Sequence, residues 1–238
     1  MAEPIKLVDA ARYFKDEPHQ VKAWDWLESK LNSFQLEGFQ KMYRNEAGER
    51  LPSKPDAQPE PTEGICTPDL MNRLTGYPAS SFDSVFCNDC NRLFKDTGFD
   101  QHLDAMQMLM ANMMHETCNF VYMKEIASGE AYNYRTDLGN RGPDDGPTYK
   151  GCGVLQLTGR HNYQRFADGI GDQQVMTGVD YTSETYPFSS ARVWIKENDL
   201  LNVCLTKGFE SCCVRINGGY NGYDDRCVKY EICKREMK

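Results

Sequence analysis

The sequence has little positive charge, few histidines and no long apolar run. Its 27 lysines and arginines stand against 35 aspartates and glutamates, which gives a formal net charge of −8. Such a chain lacks the basic surface that nucleic-acid binders need, so we expect no nucleic-acid partner. No stretch approaches the roughly 18 consecutive apolar residues of a membrane span. The first 17 residues carry scattered charges and no apolar core, so they do not form a secretory signal.

All ten cysteines lie after residue 65. An even count is compatible with disulfides, but without a secretory signal we expect mostly reduced, buried thiols. Cys87 and Cys90 form a CxxC pair that could be half of a zinc site. No second half with suitable spacing follows, so we expect no metal and no cofactor.

The composition of the chain changes twice. Apolar residues recur at helical spacing over residues 1–44, which predicts a small helical hairpin. Residues 45–65 are rich in proline and acidic residues and predict a stiff linker. Residues 66–238 have a globular composition, and helical patterns at 68–74, 83–94, 101–117, 188–205 and 206–215 predict a mainly α domain.

Familiar catalytic motifs are missing. After His115 and Glu116 the sequence departs from HExxH, and neither GxSxG nor a phosphate-binding glycine loop is present. Cys118 or Cys152 could pair with His115 as a nucleophile and base, although nothing local marks either thiol as activated.

Two carboxylates remain as candidates. Glu116 ends the methionine-rich helix over 101–117, where an apolar surrounding would disfavour its charged form, and Glu125 follows nine residues later. One protonated and one ionised carboxyl can hydrolyse a glycosidic bond. From the residues alone, two solvated surface glutamates remain the alternative.

Four separated segments resemble glycoside hydrolase family 19, and more closely its phage endolysin branch. They occur in the family's order over about residues 66–238, and they read HETCNF, AYNYRTDLGN, GPTYKGCGVLQLTGRHNY and RINGGYNGYDDR. The resemblance implies a mainly α, lysozyme-like fold with two lobes and a substrate cleft between them.

The resemblance also implies roles. Glu116 matches the general acid, Glu125 the general base, and Thr158 the residue that holds the attacking water. The implied substrate-binding residues are His115, Gln156, Asn162, Arg215 and Asn217. Tyr132 is a further candidate, which either stacks on a sugar ring or packs the loop. The family inverts at the anomeric carbon, which requires about 6.5–9.5 Å between the carboxyl groups.

Two departures from the family pattern stand out. The usual Gly-Arg-Gly is replaced by Gly151, Cys152 and Gly153, so an arginine is lost. Asn221 stands where plant chitinases have an acidic residue, as is usual in the endolysin branch.

We therefore expect a monomeric glycoside hydrolase, a peptidoglycan-cleaving endolysin acting on β-1,4 bonds. The alternatives are a chitinase, a virion-associated wall-degrading or structural protein, and a Cys/His amidase or peptidase. The hairpin at 1–44 is a candidate wall-binding or docking module. Such a protein would be made in the host cytoplasm and act on the cell wall after release or as part of a virion.

Overall fold

The computed structural model describes residues 64–238, so the predicted hairpin and nearly all of the linker lie outside the described residues. The described part is mainly α-helical, as predicted. Its helices are α1 (Pro68–Thr75), α2 (Ser84–Thr97), α3 (Leu103–Glu116), α4 (Asp145–Thr148), α5 (Arg160–Ile170), α6 (Val179–Thr185), α7 (Arg192–Glu197), α8 (Leu200–Asn217) and α9 (Tyr223–Glu236). None of these helices is both long enough and apolar enough to span a membrane.

The first two helices begin at strong local signals. The Thr67 side chain accepts a hydrogen bond from the Leu70 amide ahead of Pro68, and Asp83 accepts one from the Phe86 amide. Both residues satisfy amides that would otherwise lack partners at a helix start. These caps explain why the sequence located both helices to within a few residues.

Helix α3 lies at the centre of the core. Every residue from Ala105 to Met114 is buried, so the helix is enclosed on all sides rather than on one face. Leu103, at the first turn of the helix, is an exception with a side chain that is 41% exposed. Unbranched methionine side chains suit such an enclosed helix because they adapt to irregular gaps.

The buried apolar side chains form two clusters. The larger one gathers residues of α1, α2, α3, α8 and α9 around the methionines. The smaller one contains Tyr149, Cys152, Tyr163 and Phe166 together with residues that follow α5. Two isolated antiparallel bridges, from Cys152 to Lys124 and to Leu157, join the loops beside the smaller cluster.

Four helices were not predicted, namely α4, α5, α6 and α9. The predicted helix over 188–205 is in fact divided, because a short turn at Asn198 and Asp199 separates α7 from α8. Helix α8 is kinked at Gly208, which has φ 75° and ψ −170°.

Asp89 of α2 is a buried carboxylate that holds a distant turn. It is 1% exposed and accepts hydrogen bonds from the amides of Phe188 and Ser189 at 2.8 and 2.9 Å, and from the Ser189 hydroxyl at 2.5 Å. Burial raises the pKa of Asp89 despite these hydrogen bonds. The turn is therefore fixed to α2 by one desolvated side chain.

We expect Asp89→Asn to lower the free energy of unfolding by about 1–3 kcal/mol, because an amide cannot accept all three hydrogen bonds. Urea unfolding measures the change. Asp96→Asn is the matched control, since Asp96 lies on the same helix, pairs with Arg192 and is 31% exposed. Equal effects of the two substitutions would contradict the assigned role of Asp89.

Candidate active site

Glu116 is the last residue of α3, and its carboxylate is paired with a buried arginine. Arg226 of α9 donates from Nη2 to Glu116 Oε1 and from Nη1 to Asn112 Oδ1, the latter at 2.6 Å. Asn112 lies one turn before Glu116, so both acceptors share one face of α3. A single guanidinium therefore holds two side chains of α3, the helix that ends at the candidate acid.

The surroundings of Glu116 differ from the sequence expectation. An apolar setting was expected, but the carboxylate is 26% exposed and ion-paired with an Arg226 side chain that is 1% exposed. A buried charge needs such partners because it has lost its water. No described residue hydrogen-bonds Glu116 Oε2, so this oxygen remains available to a substrate.

His115 precedes Glu116 and pairs with an aspartate of α9. Its Nδ1 lies 2.6 Å from Asp225 Oδ2, and Lys229 donates to the same carboxylate. Burial opposes the ionised form of Asp225, but these hydrogen bonds hold its pKa below the ordinary value. A Cβ on Gly222 would overlap the His115 ring, so the turn before α9 closes tightly over this histidine.

The chain between the two glutamates makes an unusual turn. Cys118, Asn119 and Phe120 have φ values of 50°, 59° and 69°, which places three consecutive non-glycine residues in the left-handed region. Such residues normally occur singly, because each brings Cβ close to a carbonyl oxygen. The turn is therefore strained and must be held by its surroundings.

Phe120 supplies much of that support. Its ring is 8% exposed and packs at 5.6 Å from Phe86 and 5.4 Å from Phe188, measured between ring centroids. Its amide donates to the Thr117 hydroxyl at 2.9 Å, and the Asn119 amide donates to the Met114 carbonyl at 2.7 Å. The turn is thus anchored both in the aromatic core and on α3.

Glu125 is held by two donors on a different part of the chain. The Tyr132 hydroxyl donates to Oε1 and the Gly151 amide donates to Oε2, each at 2.9 Å. The hydrogen bond to Glu125 is the main cause that raises the pKa of Tyr132. Both carboxylate oxygens keep further lone pairs for a water molecule.

Close packing beside Glu125 explains why positions 151 and 153 are glycines. A Cβ on Gly151 would overlap the Gln156 side-chain oxygen, and one on Gly153 would overlap the Ser190 hydroxyl. Cys152 stands between these glycines, where the family has arginine, and it is fully buried in the smaller cluster. Burial raises the pKa of the Cys152 thiol to about 12, which does not favour a nucleophilic role.

One cavity of about 190 Å³ is lined by Thr158, Gln156 and Asn162. Trp194 and Glu197 also border it. The Thr158 hydroxyl donates to the Gln156 carbonyl at 2.8 Å, so its lone pairs are free to accept from water. The Asn162 amide donates to the Thr158 carbonyl at 2.8 Å. The structure therefore brings together three of the predicted site residues.

The remaining two predicted residues lie at α8. Asn217 is the last residue of this helix, and its buried Oδ1 has no hydrogen-bond partner among the described residues. Arg215 donates to the Asn198 carbonyl at 2.9 Å and borders a different cavity of about 350 Å³ with Tyr220. Its predicted role in substrate binding stays a prediction.

A network of polar side chains braces the loop that carries Tyr132. Asn140 is fully buried, donates to the Tyr132 carbonyl and accepts from the Arg160 amide, both at 2.8 Å. The Arg160 guanidinium forms two hydrogen bonds to Asp145 at 2.9 and 3.0 Å. These hydrogen bonds from Arg160 lower the pKa of Asp145 to about 2.

Sequence reasoning missed the partners of the catalytic candidates. Arg226, Asp225 and Asn112 were given no role, although the first two lie within the quoted segment RINGGYNGYDDR. The signal that could have found them is the run of consecutive charged residues at the end of this segment. Within residues 64–238, no group of three or more His, Cys, Asp or Glu side chains is arranged to hold a metal.

Comparisons with known proteins agree on the type of domain. No family model matches the chain. Over 110 residues the chain is 30% identical to a glycosyl hydrolase family 19 domain-containing protein of Haemophilus influenzae. The match covers 44% of this chain and 51% of that protein, so the chain spans about half the length of this curated relative.

Solved structures establish the fold. Chitinase C from Streptomyces griseus HUT6037 superposes with a TM-score of 0.53 at 18% identity, over 75% of this chain and 95% of that one. Another bacterial family 19 chitinase gives a TM-score of 0.56 at 15% identity, over 73% and 95% of the two chains. The described residues therefore have the mainly α fold of family 19 chitinases. The curated relative and the second of these chitinases are family 19 proteins, and the chain is similar to both.

We expect Asp145→Asn to make the domain less stable at neutral pH but not in strong acid. The folded pKa of about 2 lies below the unfolded value of about 3.9, so the ionised Asp145 stabilises the fold above pH 4. That contribution is lost as the pH falls from about 4 to about 2. Because Arg160 is 39% exposed, we expect only about 1–2 kcal/mol.

Urea unfolding at several pH values between about 2 and 7 checks this expectation, with exposed Asp144→Asn as the matched control. A constant difference between Asp145→Asn and the wild type over the whole range would contradict it.

Proposed function

We propose that this protein is an endolysin that hydrolyses the β-1,4 glycosidic bonds of peptidoglycan with inversion. The observation that carries the proposal is the separate support of two carboxylates. Glu116 is held from the helical core by Arg226, and Glu125 is held from the loops by Tyr132 and Gly151. Two carboxyl groups with different surroundings are what an acid and base pair requires.

In the proposed reaction, Glu116 acts as the general acid. Arg226 occupies Oε1, which leaves Oε2 to carry the proton that passes to the leaving glycosidic oxygen. The ion pair also fixes the rotamer of Glu116, so the proton is delivered from one defined position. Once the bond has broken, the guanidinium stabilises the carboxylate that remains.

Glu125 acts as the general base. Donors at both of its oxygens hold the carboxylate, and a free lone pair accepts a proton from the attacking water. The Thr158 hydroxyl, whose proton is committed to the Gln156 carbonyl, accepts the water's second hydrogen. The water then attacks the anomeric carbon opposite the leaving group, a mechanism that requires about 6.5–9.5 Å between the two carboxyl groups.

Polar side chains are available to bind the sugars. Asn217 Oδ1, which has no partner within residues 64–238, would gain a hydrogen bond from a hydroxyl or acetamido group, and this would remove the cost of burying it unpaired. Gln156 and Asn162 line the cavity beside Thr158 and contact further sugar groups. His115, held by Asp225, approaches the substrate next to the acid.

Chitin is the second candidate substrate, and the fold likeness to two bacterial chitinases favours it. The two polymers share the linkage and differ in the lactyl-peptide branches of peptidoglycan. The nine-residue interval between Glu116 and Glu125 resembles the endolysin branch, and for this reason we place peptidoglycan first. We further propose that the protein reaches the wall after release or as part of a virion.

We expect Glu116→Gln and Glu125→Gln each to reduce kcat on isolated peptidoglycan by about 10²–10⁴-fold, the usual contribution of a general acid or base. In the Glu116→Gln variant the new amide oxygen can still accept from Arg226, so the fold should be retained. Mass spectrometry of the products and a reducing-end assay measure the effect. Exposed Glu130→Gln is the matched control and should keep full activity.

The products distinguish the candidate functions. New reducing ends from peptidoglycan support the proposal, whereas released peptides without reducing ends would indicate an amidase or peptidase. Oligomers from chitin alone would move the function to a chitinase. Failure of the wild type on both polymers would favour a structural virion protein.

We expect Tyr132→Phe to lower kcat by about 10–100-fold with little change in KM, because Glu125 loses a hydrogen bond of about 1.5–3 kcal/mol. Tyr134→Phe is the matched control, since Tyr134 lies on the same loop and is 62% exposed. Steady-state kinetics separate the two constants. A raised KM with unchanged kcat would show instead that Tyr132 binds sugar and does not position the base.

A further inference from the structure

Two buried thiols meet within the larger cluster of buried side chains. Cys66 lies just before α1 and Cys90 lies within α2, and their sulfur atoms are 3.0 Å apart. Both are free thiols in the structure and are 3% and 0% exposed. The sulfur atoms are thus only about 1 Å further apart than in a disulfide, whose S–S bond is about 2.05 Å.

The backbone around this pair is fixed by a reciprocal contact. The Cys66 amide donates to Asn91 Oδ1 at 2.9 Å, and Asn91 Nδ2 donates back to the Cys66 carbonyl at 3.0 Å. Asn91 follows Cys90 on α2, so these two hydrogen bonds hold Cys66 directly beside Cys90. The Thr67 cap then fixes the following residue at the start of α1. The two sulfur atoms are therefore held together by the fold.

We propose that Cys66 and Cys90 form a disulfide when the chain folds in an oxidising environment. The two thiols lose two protons and two electrons and gain one S–S bond. A disulfide oxidant such as oxidised glutathione accepts the electrons and is reduced to two thiols. One cysteine first forms a mixed disulfide with glutathione and releases one glutathione thiol. The other cysteine then attacks the sulfur of the first and releases the second glutathione thiol.

Formation during folding is favoured over oxidation of the folded domain. Burial leaves little room for an oxidant, and it raises the pKa of the Cys90 thiol well above its ordinary value. The reactive thiolate is therefore scarce once the core has closed. In the folded domain, the same burial protects the completed bond from reduction.

The crosslink would tether the point at which the chain enters the described domain. Residues 1–63 end just before Cys66, and the bond would join this entry point to α2 across 24 positions. Closing a loop of this size restricts the unfolded chain. We expect the oxidised protein to melt about 5–10 °C above the reduced protein.

The test uses the full-length protein, unfolded under reducing conditions and refolded with reduced and oxidised glutathione. Non-reducing digestion and mass spectrometry should find the peptide of Cys66 joined to that of Cys90. Trypsin leaves Cys87 in the same peptide as Cys90, because no lysine or arginine separates them. Cys87→Ser is therefore the control that must keep the link, and Cys66→Ser and Cys90→Ser must abolish it.

Three results would overturn the proposal: Cys66 unlinked in the refolded wild type, loss of the link in Cys87→Ser, or equal melting temperatures before and after reduction. The wild-type digest decides the matter even where a variant does not fold. None of these measurements uses lytic activity, so they are independent of the proposed hydrolase function.

Discussion

The buried guanidinium of Arg226 is the contact on which the arrangement around Glu116 depends. A charge that is 1% exposed must be matched by partners inside the protein, and here those partners are Asn112, Glu116 and the carbonyl of Asn221. The first two lie one turn apart on α3, so the ion pair also docks α9 against the central helix. Asn112 is oriented in turn by donating to the Met108 carbonyl. The position of the proposed acid is therefore set by the core.

Glu125 is positioned by different means. Its donors belong to loops, and the chain reaches it through a left-handed turn that Phe120 anchors among aromatic rings. Loops with few buried contacts open more readily than core helices, so the base side of the site is the part more able to adjust when a polymer binds. The Asn140 network limits that adjustment by fixing the Tyr132 backbone. For the proposed reaction, an acid held by the core and a base held by braced loops would suit a long substrate that must enter and leave.

Local signals account for what the sequence predicted well. Helical patterns located α1 and α2, which begin at the caps Thr67 and Asp83, and the methionine-rich run located α3 with Glu116 at its end. Helix α9 was missed because its apolar residues follow no clear helical period. The pairing of Arg226 with Glu116 joins residues 110 positions apart, which no local pattern encodes. The apolar surrounding expected for Glu116 was wrong for the same reason.

The choice between peptidoglycan and chitin cannot depend on the two carboxylates, because both polymers present the same β-1,4 bond to them. Discrimination must come from side chains that meet the groups in which the polymers differ. In the sequence just before and after the proposed base, Val121, Tyr122 and Ile126 are 53%, 48% and 79% exposed. Exposed apolar and aromatic side chains of this kind favour contact with the non-sugar branches or with the flat faces of the sugar rings. Substitutions at these positions should therefore change the preference for one polymer without altering the chemistry at Glu116 and Glu125.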